Sequence, residues 1–117
     1  MNRHDIEVKQ VATFTLPIRV DTDSGKPVDF TGYTATAQVR EKPTSAVLYQ
    51  FKDDYSTPYW IEWVDKAKGN LKLTITSANT ANMTAGVAKY DIVLTSNTNT
   101  VILLEGQFRV VDTITEV

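Results

Sequence analysis

His4 is the only histidine in the chain, so any hydroxyl–imidazole–carboxylate relay would have to run through it. It lies in a polar start, Met1-Asn2-Arg3-His4-Asp5, with no oriented partner in view. Catalysis needs a positioned constellation, and His4 therefore reads as a surface residue. Asp21, Asp23 and Asp29 gather around one turn and could offer oxygens to calcium. Their spacing departs from an EF-hand loop, and acids in turns ordinarily bond their own backbone. Asp53-Asp54 reads the same way. Cysteine is absent, which removes thiol catalysis, disulfides and cysteine-ligated zinc together. There is no Gly-rich phosphate loop and no carboxylate pair framing a cleft. The expectation is no catalytic residue, no cofactor and no metal: a protein that is not an enzyme.

Recognition chemistry is better represented. Tyr49, Phe51, Tyr55, Tyr59, Trp60 and Trp63 fall within 15 residues. Alternation sorts part of this run: Tyr59, Ile61 and Trp63 share one face, and Trp60, Glu62 and Val64 share the other. One face must be core, so at least one tryptophan is structural. The other can anchor a protein interface, where Trp and Tyr are enriched, or stack on a sugar ring. Tyr55, Tyr59, Trp60 and Trp63 are the candidate interface residues.

The elements that must position them are strands. Ile6–Gln10 suits an edge strand. Phe14, Leu16, Ile18 and Val20 alternate strictly with Thr13, Thr15, Pro17 and Arg19, the pattern of a half-buried strand. Pro17 cannot donate to a ladder, which puts it at an edge or a bulge. Residues 21–27 form a turn. In Val28-Asp29-Phe30-Thr31-Gly32-Tyr33, Asp29 or Thr31 can bond nearby amides and Gly32 can take positive φ, tucking Phe30 inward. Thr34–Arg40, Val47–Lys52, Tyr59–Val64 and Leu71–Thr76 read as further strands. Ser77–Thr84 is the one helical candidate, a turn or two capped by Ser77 with Met83 inward. Two long strands follow, Val87–Thr95 and Val101–Val111, joined as a hairpin. Ala88, Tyr90, Ile92 and Leu94 form one inner face, and Ile102, Leu104, Phe108 and Val110 the other. A bulge is expected at Glu105-Gly106, where alternation falters.

Bulk properties narrow the class. The chain has 117 residues, 42% hydrophobic and 22% charged, the profile of one globular domain over residues 1–117. Net charge is −2 and the pI is near 5.3, so no basic field favours nucleic acid. No run approaches the ~18 apolar residues that span a membrane. The polar start has no apolar signal core, and the sequence reads as one folded in a cytoplasm. About seven to eight strands with turn signals between them indicate a two-sheet β-sandwich, with a small closed barrel as the alternative.

Several motifs carry a family resemblance over nearly the whole chain. Val8-Lys9-Gln10 with Thr13-Phe14-Thr15 resembles an opening strand pair. Gly25-Lys26-Pro27-Val28-Asp29-Phe30-Thr31-Gly32-Tyr33 resembles a Gly-x-Pro-Val-Asp-Leu-Thr-Gly-Tyr turn, and Ala37-Gln38-Val39-Arg40 follows it. Met83-Thr84-Ala85-Gly86-Val87-Ala88-Lys89-Tyr90-Asp91-Ile92 resembles a Leu-x-x-Gly-x-Tyr-x-Tyr-Asp-Ile corner. Leu103 to Val110 resembles the closing strand. These are motifs of small bacteriophage virion proteins that share an immunoglobulin-like β-sandwich with the N-terminal domain of baseplate upper proteins. The chain departs from them at Ala88 and in the rich aromatic run from Tyr55 to Val64.

The resemblance implies an all-β immunoglobulin-like domain that serves as a structural part of a phage particle, made in the bacterial host cytoplasm. Its partners would be other virion proteins of tail, baseplate, fibre or capsid, and copies of itself. Capsid decoration, a head fibre or a carbohydrate-binding role in host attachment are the alternatives. It also implies structural roles for Gly32, Tyr33, Gly86 and Tyr90, with Tyr90 acting as a tyrosine corner whose hydroxyl ties to nearby backbone.

Overall fold

Alternating residues become strands in the order the pattern dictates. The structure is a computed structural model that describes residues 2–22, 24–42, 44–53 and 59–112. Its strands are β1 (Asn2–Arg3), β2 (Ile6–Lys9), β3 (Phe14–Arg19), β4 (Thr34–Arg40) and β5 (Val47–Lys52). Then come β6 (Tyr59–Asp65), β7 (Asn70–Ile75), a one-turn helix α1 (Ser77–Thr80), β8 (Gly86–Thr95) and β9 (Thr100–Val111). The two-residue β1 makes nine strands rather than seven or eight.

Hydrogen-bonded neighbours run β1-β9-β8-β4-β5-β6-β7-β3, and β2 also lies on β9. The path bends at β5 and β6, which are joined in parallel through two residue pairs, Phe51 with Tyr59 and Lys52 with Trp60. One half is thus β1/β2, β9, β8, β4 and β5, and the other is β6, β7 and β3. The end strands β1 and β3 are not paired with each other among the described residues, so the structure is an open sandwich and not the closed barrel. Pro17 sits on β3, which among the described residues pairs with β7 alone and is an edge.

One core lies between the halves. Ala35, Ala37, Val39, Phe51, Ile92, Leu94 and Phe108 come from the first half, and Ile61, Leu71, Leu73 and Ile75 from the second. Small Ala35 and Ala37 on β4 leave room for the rings of Phe51 and Phe108, whose centroids are 6.4 Å apart. Each fully buried Leu, Ile or Phe contributes about 1.5–3 kcal/mol by leaving water.

The turns follow the side chains that form them. Asp29 Oδ1 accepts from the Thr31 amide at 2.9 Å and the Thr31 hydroxyl at 2.6 Å. Gly32 then takes φ +88, which a residue with a Cβ rarely adopts. Phe30 is buried, and Tyr33 meets it edge-on at 5.7 Å. At the β6–β7 turn, Gly69 has φ +71, and a Cβ there would lie 2.7 Å from the Val20 carbonyl oxygen.

Three local expectations are corrected. The bulge lies at Leu103 and not at Glu105-Gly106: Ile92 pairs with Leu104, but Val93 pairs with Ile102. The extra residue, Leu103, turns inward, and Ile102 swings out to 47% exposure, leaving the inner face it was assigned to. Ser77 does not cap α1. Thr76 holds the N-cap position without a side-chain bond. The buried hydroxyl nearby is that of Thr80, which donates to the carbonyls of Ala12 and Ser77 at 2.8 and 3.1 Å.

One backbone position is strained. Val11, between β2 and β3, has φ +72. A β-branched residue in this region costs about 1–3 kcal/mol. The turn is held there from outside, by Gln10 Nε2 donating to the Met83 carbonyl and by the Thr80 bond to Ala12.

Candidate functional site

The rich aromatic run separates into core and surface. Tyr59 packs on Tyr49 and Phe51 at ring distances of 5.4 and 5.6 Å, and burial pushes its phenol pKa up. Trp63 packs on Phe30 at 5.9 Å. Its indole N–H donates to Asp53 Oδ2 at 2.9 Å, and Lys66 lies over its ring at 5.0 Å. The same Asp53 oxygen accepts from the Ala35 amide at 2.9 Å. Asp53 is therefore a bracket that ties β6 to the start of β4. Tyr59 and Trp63 are partly buried, their rings packed against the core by inward-facing alternation. Trp60 does face outward, half-buried, in a row with Lys52 and Thr74. Tyr55 lies outside the described residues.

Tyr90 is almost wholly buried, and it does not form a tyrosine corner. Its hydroxyl donates to the carbonyl oxygen of His4, far away in sequence. The reason lies across the hairpin. Tyr90 is paired with Gly106, and a Cβ on Gly106 would lie 2.2 Å from that same His4 oxygen. The missing side chain lets the N-terminal segment come down onto β9 within reach of the phenol. Burial, then the Asp5 charge, pushes the Tyr90 pKa up to about 12. His4 thus works through its backbone, its amide also donating to Glu105 O at 2.9 Å. Gly86 opens β8 at φ +153.

No three His, Asp or Glu side chains gather to hold a metal among the described residues. Asp21 is engaged by Arg19 at 3.1 Å and Asp29 by Thr31. Asp23 lies outside the described residues. No described helix is long and apolar enough to cross a membrane.

The surface that remains is the outer face of β4, β8 and β9. Register sets Gln38, Asp91 and Glu105 in one row, and Arg40, Lys89 and Gln107 in the next. With Arg3 they line an open concavity of about 670 Å³. Arg40 is fixed at both ends of its guanidinium, donating to Gln38 Oε1 and to the Ser45 carbonyl, each at 2.9 Å. Asp91 is half-buried opposite Glu105, and burial and that neighbouring charge push its pKa up against the pull of Arg40. On the other side of the acid row lie Val93 and the exposed Ile102. The face is a charged centre flanked by the aliphatic pair Val93 and Ile102.

No protein-family model and no curated protein matches the chain. Among solved structures it is similar to a VGSC β subunit, from work on the photo-crosslinking of its multimeric cell-adhesive interactions. That match has a TM-score of 0.50 at 14% identity, over 95% of this chain and 93% of that one. The fold is immunoglobulin-like. Murine CRIg is also similar, with a TM-score of 0.47, 13% identity and 92% of each chain covered.

Sequence reasoning missed the Arg40–Asp91–Glu105 face. Alternation did give the signal, since Gln38, Arg40, Lys89, Asp91, Glu105 and Gln107 all oppose core positions. What one strand cannot show is that three strands bring these residues side by side.

Proposed function

We propose that this protein is a structural adaptor of a bacteriophage particle, set in the tail or baseplate, where it bridges other virion proteins. The observation that carries an adaptor role is the outer face of β4, β8 and β9. It is broad, its guanidinium is pre-positioned, and it carries charge and apolar surface together, as protein interfaces do. The acids and rings that suggested other chemistry are engaged in holding the fold: Asp53, Asp29, Tyr59 and Trp63. The phage placement is supported by the turn at 25–33 and the corner at 83–92, which resemble those of baseplate upper proteins. The likeness to solved immunoglobulin-like domains, at 14% identity, carries the fold and no partner.

Mass spectrometry of purified particles tests the placement: the chain is expected at a fixed stoichiometry, and its absence from virions ends the reading. An Arg40→Glu exchange tests the face, with loss of incorporation expected from a chain that still folds. Trp60 alone favours a second reading, a carbohydrate site on β6. Glycan-array binding that disappears in Trp60→Ala would establish it, and a blank array would dismiss it.

A further inference from the structure

We infer that the N-terminal strand segment, β1 and β2, exchanges between two copies of this chain, each strand filling the groove beside β9 of the other molecule. The inference stands apart from where the protein is located, and it follows from how that segment is attached.

Among the described residues, β1 and β2 pair with β9 and with no other strand. The seat on β9 is fitted to this segment at three places. Ile6 and Val8 are buried, in register with Phe108 and Val110. Gly106 leaves a socket for the His4 carbonyl, which Tyr90 bonds from beneath. Asp5 Oδ1 accepts from the Gln107 amide at 2.9 Å. A generic strand would satisfy the backbone of β9 but not these three fittings. The occupant that satisfies them is the same segment, whether from this molecule or from another.

The connection to β3 decides between the two. It passes through the turn at Val11, a β-branched residue held at φ +72. Straightening the turn releases that conformation, and a strained short hinge beside a docked strand favours exchange. The Gln10–Met83 and Thr80–Ala12 bonds oppose it by holding the turn closed. The closed form therefore prevails in dilute solution, and exchange is gained as concentration rises.

The absence of native cysteine makes the test clean. Glu7 and Arg109 are exposed register neighbours across β2 and β9. A Glu7→Cys chain and an Arg109→Cys chain are incubated together at high concentration and oxidised. Exchange yields disulfide-linked heterodimers well above the homodimers of either chain alone. The double variant is expected to give intermolecular disulfides when concentrated and intramolecular ones when dilute. A protein that stays monomeric at every concentration overturns the inference, as does a dimer whose disulfides all close within one chain. Light scattering on Val11→Gly gives a second reading. Glycine adopts the closed turn freely, so the dimer dissociation constant should rise at least about tenfold. An unchanged constant overturns the role of the hinge. Val11→Pro, which cannot take positive φ, should shift the balance towards dimer.

Discussion

Gly106→Ala is the most exacting test of how the N-terminal segment is held. The new methyl carbon would lie 2.2 Å from the His4 carbonyl oxygen, 2.8 Å from the His4 carbonyl carbon and 2.9 Å from Asp5 Oδ1. The first two are backbone atoms and cannot turn aside. Ordinary contact begins near 3.4 Å, so the segment must rise by about 1 Å. The bonds from His4 N to Glu105 O and from Gln107 N to Asp5, both 2.9 Å, then stretch to almost 4 Å and are lost. The Tyr90 hydroxyl bond to His4 is lengthened and weakened as well. Two bonds lost and one weakened, at about 1 kcal/mol each, give up to about 3 kcal/mol. That agrees with the ~1–3 kcal/mol typical of an added methyl in a filled site. For a chain of this size it is a fall in Tm of roughly 10 °C. Urea melts read by linear extrapolation would measure it, and amide exchange at Gln107 would show where the loss falls. A change below ~0.5 kcal/mol with Gln107 still protected would refute the account.

Other substitutions separate core from surface. Asp53→Ala leaves the Ala35 amide and the Trp63 indole without their acceptor; about 2–4 kcal/mol should be lost, with a change in tryptophan emission. Trp63→Ala, which removes a partly buried ring packed on Phe30 and the bond to Asp53, should cost ~2–4 kcal/mol in a urea melt, whereas outward-facing Trp60→Ala should cost less than about 1.5 kcal/mol. Tyr90 predicts a pH dependence. Its folded pKa of about 12 lies above the ordinary value near 10, so its stabilising contribution is complete below pH 10 and declines as pH rises from 10 to 12. Thermal melts across that window should show the decline, and Tyr90→Phe should reduce it, leaving the smaller part owed to Tyr59. Asp91→Asn removes a carboxylate from beside Glu105, and calorimetry should find it neutral or more stable by a few tenths of a kcal/mol.

The strands were legible because β-structure writes its burial into a period of two. Thr34–Arg40 and Val47–Lys52 fall on β4 and β5, and Ile61 faces inward as alternation requires. The turn at Asp29-Phe30-Thr31-Gly32 was legible for a similar reason, since its bonds join residues two positions apart. Local chemistry of this kind needs no knowledge of the rest of the chain.

What only the tertiary structure decided are contacts between residues distant in sequence. The broken alternation near Glu105 signalled an irregularity, but only pairing with β8 placed the bulge at Leu103 and left Gly106 in register as the gap under His4. Tyr90 was legible as a buried ring, yet its acceptor lies 86 residues away. The aromatic run suggested a binding surface, and the fold packs Tyr59 and Trp63 against the core because Phe51, Phe30 and Asp53 converge there. The charged face exists only once β4, β8 and β9 lie side by side. A single strand records which way each side chain points, and the sheet alone determines what stands next to it.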